Sequence, residues 1–199
     1  MVNIVIIDSG VNLNHKLLKD SDIESFELVK GKIVKGGIDN YGHGTAVSGI
    51  IYRNTTDVKI TMVKLKGVEN GVEELDLIAV LNYILQCENI NIVNLSLGVN
   101  ICEQYNKLYN ICQDLSEKGV IIISAFDNTG AISYPAAFDN VIGVTTGQFC
   151  NRVNDFEYVE DKIVNIAAKG NIQRVAWSNP EYLMIGGNSF ACAHVTAQT

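Results

Sequence analysis

The sequence predicts an α/β fold of three layers, a mostly parallel sheet with helices on both faces. Three observations lead there. Short, continuous, β-branched apolar runs recur along the chain, the pattern of strands buried on both sides. Longer stretches between them carry apolar residues at helical spacing. Runs and stretches alternate, as in parallel strands joined by crossover helices.

The elements follow in order. Val2 to Ile7 is apolar and β-branched apart from Asn3 and breaks at Asp8-Ser9-Gly10, so it reads as a first buried strand. His43 to Ile51 is a helix candidate that starts directly after a glycine. Ile60 to Leu65 is the second strand. Glu73 to Cys87 follows as a helix, with acidic residues in its first turn and Leu75, Ile78, Ala79, Asn82 and Leu85 at helical spacing. Ile90 to Leu95 is the third strand. Gln104 to Lys118 places Leu108, Ile111, Cys112 and Leu115 on one face and meets a natural stop at Gly119. Val120 to Ser124 and Val141 to Val144 are the fourth and fifth strands, and Ser189 to Gln198 is the last helix. In open parallel sheets sites form at the carboxyl ends of strands. Asp8, Ser96 and Asn128 fall just past the first, third and fourth strands.

At 199 residues the chain suits one well-cored domain, 1–199. A hydrophobic fraction of 47% indicates a globular protein. The net charge of −7 excludes the basic face that a nucleic-acid binder or an anionic-membrane binder would need. The apolar runs are far shorter than the roughly 20 residues of a membrane helix, and the N-terminus lacks a signal-peptide pattern. Five irregularly spaced cysteines (87, 102, 112, 150, 192), with no C-x-x-C pair, read as free thiols in a reducing compartment, so the expected location is cytoplasmic. The three histidines form no ligand cluster with them, so no zinc site is expected. There is no G-x-G-x-x-G and no G-x-x-x-x-G-K-[ST], so nothing cradles a phosphate.

Three segments place a chemically capable residue among small ones: Ile6-Ile7-Asp8-Ser9-Gly10, Gly42-His43-Gly44-Thr45 and Gly187-Asn188-Ser189-Phe190-Ala191. Together they supply a carboxylate, an imidazole and a hydroxyl, the groups that make a serine nucleophilic at neutral pH. Taken singly, each has a plainer reading. Asp8 could cap a turn, or accept a phosphoryl group if a second acid stood nearby. Ser189 could be an N-cap, and Asn128 a turn residue. Among the histidines, His194 is five residues after Ser189 and points away from it on a helix. His15 lies in a polar stretch expected to be solvated. His43 is the best base.

Read together and in order, these segments resemble the subtilisin-like serine peptidases (subtilases). Val5 to Gly10 resembles the family's aspartate motif, Gly42 to Gly49 its histidine motif, and Ile92 to Gly98 the strand that pairs with substrate. Gly119 to Asn128 resembles the oxyanion strand and turn, and Asn188 to Val195 the serine motif. Tyr134-Pro135-Ala136 and Val141 to Val144 fit as well. The resemblance implies an endopeptidase acting on a peptide or protein: Ser189 attacks, His43 moves the proton, Asp8 orients His43, and Asn128 donates to the oxyanion. It implies that Ser96, Leu97 and Gly98 bind the extended substrate backbone. Ala125, Phe126 and Ser133 fall in the pocket for the residue before the scissile bond. Phe126 and Ser133 would narrow that pocket, which predicts a small or medium side chain there.

The chain departs from the family pattern at several points: Asn188 for threonine, Phe190 for methionine, Ala193 for proline, Ala46 for a second histidine, Asp127 for glycine and Lys169 for proline. No cofactor is expected. The stretch from Ile50 to Lys64 is too compact for the family's strong calcium loop, leaving room only for weak calcium binding. Asp8 lies so near the start that no folding pro-domain is expected. The end ten residues past Ser189 reads as a shortened C-terminal region, one that a partner or a second copy would complete. The alternative expectation is a catalytically silent subtilase that binds peptides or serves as a scaffold.

Overall fold

The computed structural model describes residues 1–68, 71–160 and 163–199. Its centre is a nine-stranded sheet. The strands are β1 (Val2–Asp8), β2 (Ile23–Val29), β3 (Lys32–Lys35), β4 (Val58–Lys64), β5 (Ile92–Leu95), β6 (Ile121–Ala125), β7 (Ile142–Thr146), β8 (Phe156–Tyr158) and β9 (Ile166–Ala168). Their order across the sheet is β3-β2-β4-β1-β5-β6-β7-β9-β8. All neighbours are parallel except the two edge pairs, β2 with β3 and β8 with β9. A separate hairpin pairs β10 (Gln173–Ala176) with β11 (Tyr182–Ile185). The fold is α/β with a mostly parallel sheet.

The central strands β1, β4, β5 and β6 feed two cores, which is why their sequences are mainly apolar without alternation. Ile4 and Ile6 of β1 face one core, with α1 (His43–Asn54) and α4 (Asn188–Gln198) packed on it. Val5 and Ile7 face the other, covered by α2 (Glu74–Gln86) and α3 (Tyr105–Glu117). The second helix buries a different stripe from the expected one. Leu77, Ile78, Leu81 and Ile84 face the sheet, whereas Leu75 is 62% exposed. Both stripes have helical spacing, and packing against α3 and the sheet decides between them. On α3 the expected face of Leu108, Ile111, Cys112 and Leu115 is the buried one.

After β1 the chain builds β2 to β4 on one side of it, then crosses to β5 on the other. The carboxyl end of β1 is therefore the point where the winding reverses, where such sheets open a crevice. Asp8 ends β1 there. No helix among the described residues is long and apolar enough to cross a membrane.

Candidate active site

Asp8 is fully buried, and its Oδ1 accepts two hydrogen bonds, from its neighbour Ser9 N (2.7 Å) and from His43 Nδ1 (2.7 Å). The other carboxylate oxygen, Oδ2, is buried with no partner. Because Nδ1 donates to Asp8, the lone pair of the neutral imidazole is on Nε2. The close approach of α1 to β1 depends on Gly44, where a Cβ would overlap the Gly10 carbonyl oxygen and press on Asp8. His43 is 15% exposed and lies between Tyr41 and Phe190, with ring centroids 6.4 and 5.8 Å away.

Burial opposes charge on His43, but the attraction and hydrogen bond of Asp8, with help from the charge of Asp39, outweigh it and raise the pKa above the usual value.

Asp39 is a site residue that sequence reasoning missed. It is only 3% exposed and carries no basic partner among the described residues. Its Oδ1 accepts from the Ser9 hydroxyl (3.0 Å) and from the Tyr41 (3.0 Å) and Gly42 (2.7 Å) amides. Its Oδ2 accepts from the Thr45 amide (2.9 Å) and hydroxyl (2.6 Å). The Ser9 hydroxyl in turn accepts from the Gly44 amide (2.9 Å). Helix α1 has no side-chain cap at Gly42, and Asp39 satisfies the orphan amides instead. The legible signal was an acid shortly before a helix that starts on glycine.

Ser189 lies in the first turn of α4, where backbone amides have no intrahelical acceptor. Its hydroxyl donates to the Ser96 carbonyl (3.1 Å), and no hydrogen bond joins it to His43 among the described residues. Both side chains nevertheless line one cleft of about 460 Å³, together with Ser96, Leu97, Gly98, Ala125, Phe126, Asn128 and Ser133. Every residue expected at the site except Asp8 lines this cleft, and Asp8 sits beneath it.

Asn128 Oδ1 accepts from the Asn188 amide (2.8 Å) and so caps α4. With its oxygen held there, the Nδ2 donor is left for the cleft. Asn188 itself is a four-way tie. Its Nδ2 donates to the Phe126 and Asp127 carbonyls (3.1 Å each), and its Oδ1 accepts from Thr146 N (2.8 Å) and the Thr145 hydroxyl (3.4 Å). This side chain locks the Phe126–Asn128 turn to the helix that carries Ser189. Below it, Asn94 donates to Thr196 Oγ1 (2.8 Å) and Cys192 Sγ (3.2 Å), holding α4 on β5. Neither role of Asn94 or Asn188 is visible in the chain alone.

The Leu97 and Gly98 backbones make no backbone hydrogen bonds among the described residues, so they offer an open edge. The remaining histidines lie elsewhere. His194 is buried, with Nε2 3.0 Å from Gln173 Oε1, and burial, aided by the charge of Lys169, depresses its pKa to about 4. His15, expected to be solvated, is 4% exposed: Nδ1 accepts from the Leu17 amide and Nε2 meets the Glu181 carbonyl at 2.7 Å. The β10–β11 connection folds over it, which a polar local sequence does not foretell.

The subtilase family profile matches residues 1–199. The major intracellular serine protease of Bacillus subtilis (strain 168) is 26% identical over 98% of this chain and 66% of its own length. A subtilisin from Bacillus sp. (strain TA39) is 28% identical over 97% of this chain and 54% of its own. The chain thus spans less than two thirds of those relatives. Among solved structures, the S41 psychrophilic protease superposes with a TM-score of 0.80 at 24% identity, covering 99% of this chain and 75% of that one.

Proposed function

Because this chain belongs to the subtilase family, we propose that it is a serine endopeptidase hydrolysing peptide bonds in a peptide or protein. The observation that carries the proposal is the Asp8–His43 hydrogen bond beside Ser189, in a cleft that Asn128 shares. In the reaction the Ser189 hydroxyl leaves the Ser96 carbonyl and gives its proton to His43 Nε2 as Oγ bonds to the scissile carbonyl carbon. Asn128 Nδ2 and the Ser189 amide donate to the resulting oxyanion. The C–N bond then breaks, and His43 returns the proton to the leaving amine. A water, deprotonated by His43, releases the acyl group from Ser189. Asp8 keeps His43 in the tautomer that can accept at Nε2. The substrate adds as a strand to Leu97 and Gly98. No cofactor is required, since every proton has a side-chain acceptor. All five cysteines are unpaired, which supports a cytoplasmic setting; recovery of the full chain outside the cell would overturn that placement.

The test is labelling by a fluorophosphonate probe. Wild type is expected to label and Ser189→Ala not to; folded wild type that stays unlabelled would reject the proposal. One observation favours the alternative of a silent peptide binder, the engagement of the Ser189 hydroxyl by Ser96. It is the outcome that absent labelling with retained peptide binding would support.

Two further results are expected. Asn128→Ala should lower kcat by about 10²–10³-fold with KM little changed. Asn128→Asp, which keeps the acceptor for Asn188, should be no better, because it removes the donor and adds a negative charge. An Asp variant with wild-type kcat would remove Asn128 from the oxyanion site.

The second concerns pH. His43 works as a base only when neutral, and its pKa is raised, so activity is lost as pH falls through that raised value. The acidic limb of kcat/KM should have its midpoint above about 6.5. A midpoint below about 6 would contradict the assignment.

A further inference from the structure

Among the described residues that line the cleft, Asp127 is the one carboxylate, and no lysine or arginine accompanies it. It forms no ion pair among the described residues. We propose that Asp127 is the specificity-determining residue of this cleft, selecting lysine or arginine immediately before the scissile bond. This rests on the peptidase reading above.

Asp127 immediately precedes Asn128, so it sits on the wall next to the oxyanion donor. The side chain of the residue whose carbonyl is attacked must enter between that wall and the opposite one, Ser96 to Gly98 and Asn100. Asp127 is held there at both ends of its backbone: its amide donates to the Ser133 hydroxyl (3.1 Å) and its carbonyl accepts from Asn188 Nδ2 (3.1 Å). Its carboxylate Oδ1 accepts from the Thr129 amide (2.7 Å) and hydroxyl. Those bonds, with a smaller one from Asn100 across the cleft, outweigh partial burial and hold its pKa below the usual carboxylate value. The group is therefore a fixed anion at neutral pH.

The two residues expected to narrow the pocket line the cleft, and each is tied to a neighbour. The Phe126 ring packs on Gly143, where a Cβ would lie 2.5 Å from Cε2. Ser133 is 2% exposed and its oxygen is taken by the Asp127 amide. A cleft of about 460 Å³ whose described lining carries the unpaired charge of Asp127 is complementary to a long cationic side chain rather than a small apolar one.

The test uses peptides that differ only at the position before the scissile bond: Arg, Lys, Leu or Ala. Binding to Ser189→Ala is measured by calorimetry, and cleavage by wild type as kcat/KM. The Arg and Lys peptides are expected to bind about ten-fold tighter than the Leu peptide, the scale of one partly shielded charge pair. The margin should shrink as salt is raised. Adding Asp127→Asn, which keeps an acceptor for Thr129, should abolish it. A Leu peptide that binds as well as the Arg peptide, or a preference that survives Asp127→Asn, overturns the proposal. Cleavage without basic preference sinks this inference alone. Absence of all cleavage sinks the peptidase reading, while the binding comparison still decides the role of Asp127.

Discussion

Ser189→Ala and His43→Ala are each expected to lower kcat by on the order of 10⁴-fold or more, with the double variant no slower than the worse single one. The reason is that the two residues perform one step of the proposed reaction. Ser189 is a weak nucleophile until its proton has somewhere to go, and His43 accepts a proton only if a nucleophile supplies it. Removing either leaves whatever rate enhancement Asn128 and substrate binding provide. Additive losses would mean that the two side chains act independently, and the shared proton transfer would have to be abandoned. Peptide affinity should change little in Ser189→Ala, because the Leu97–Gly98 edge and the Asp127 wall remain. Steady-state kinetics with one good substrate, alongside calorimetry on the inactive variant, separates these effects.

Asp39→Ala carries the largest expected effect on stability. The substitution would strand the Tyr41, Gly42 and Thr45 amides, together with the Ser9 and Thr45 hydroxyls, in a buried site. An unsatisfied buried donor costs about 1–3 kcal/mol, so three amides make a loss of about 3 kcal/mol or more. For a chain of this size that corresponds to about 6–12 °C in Tm. The loss would fall on the segment that presents His43, so activity should drop as well. Asp39→Asn is informative in another way. It retains an acceptor for one group of donors but turns an NH₂ toward the other, and it removes a negative charge that raises the pKa of His43. The acidic limb of its pH profile should therefore move to lower pH, with activity kept further into acid. A Tm within about 2 °C of wild type for Asp39→Ala, together with an unmoved limb for Asp39→Asn, would show that Asp39 supports neither the helix nor the imidazole.

Strands buried on both faces were legible because nothing polar interrupts Ile4 to Ile7 or Ile121 to Ile123. The six short or half-exposed strands were not. β2 carries Glu24, Ser25 and Glu27, and β8 and β9 have three residues each, too few for a period to appear. They exist because neighbours supply hydrogen-bond partners, as Ile23 to Glu27 receive from Ile60 to Lys64. The same limit applied at the site. Asp8, His43, Asn128 and Ser189 stand out because each combines a reactive side chain with small neighbours or a strand end. Asp39 and Asn94 do not, since their roles lie in bonds to distant segments.

The amino-acid order alone determined the αβ alternation, the reactive groups and their succession along the chain, because each depends on residue type and short-range spacing. Only the tertiary structure decided which stripe of α2 is buried, that Asp39 caps the histidine helix, that Asn188 ties the Phe126–Asn128 turn to the helix of Ser189, and that Asp127 lines the same cleft as His43 and Ser189. Those outcomes turn on contacts between residues tens of positions apart. Such contacts form only when two cores close around one sheet, and no local pattern encodes them.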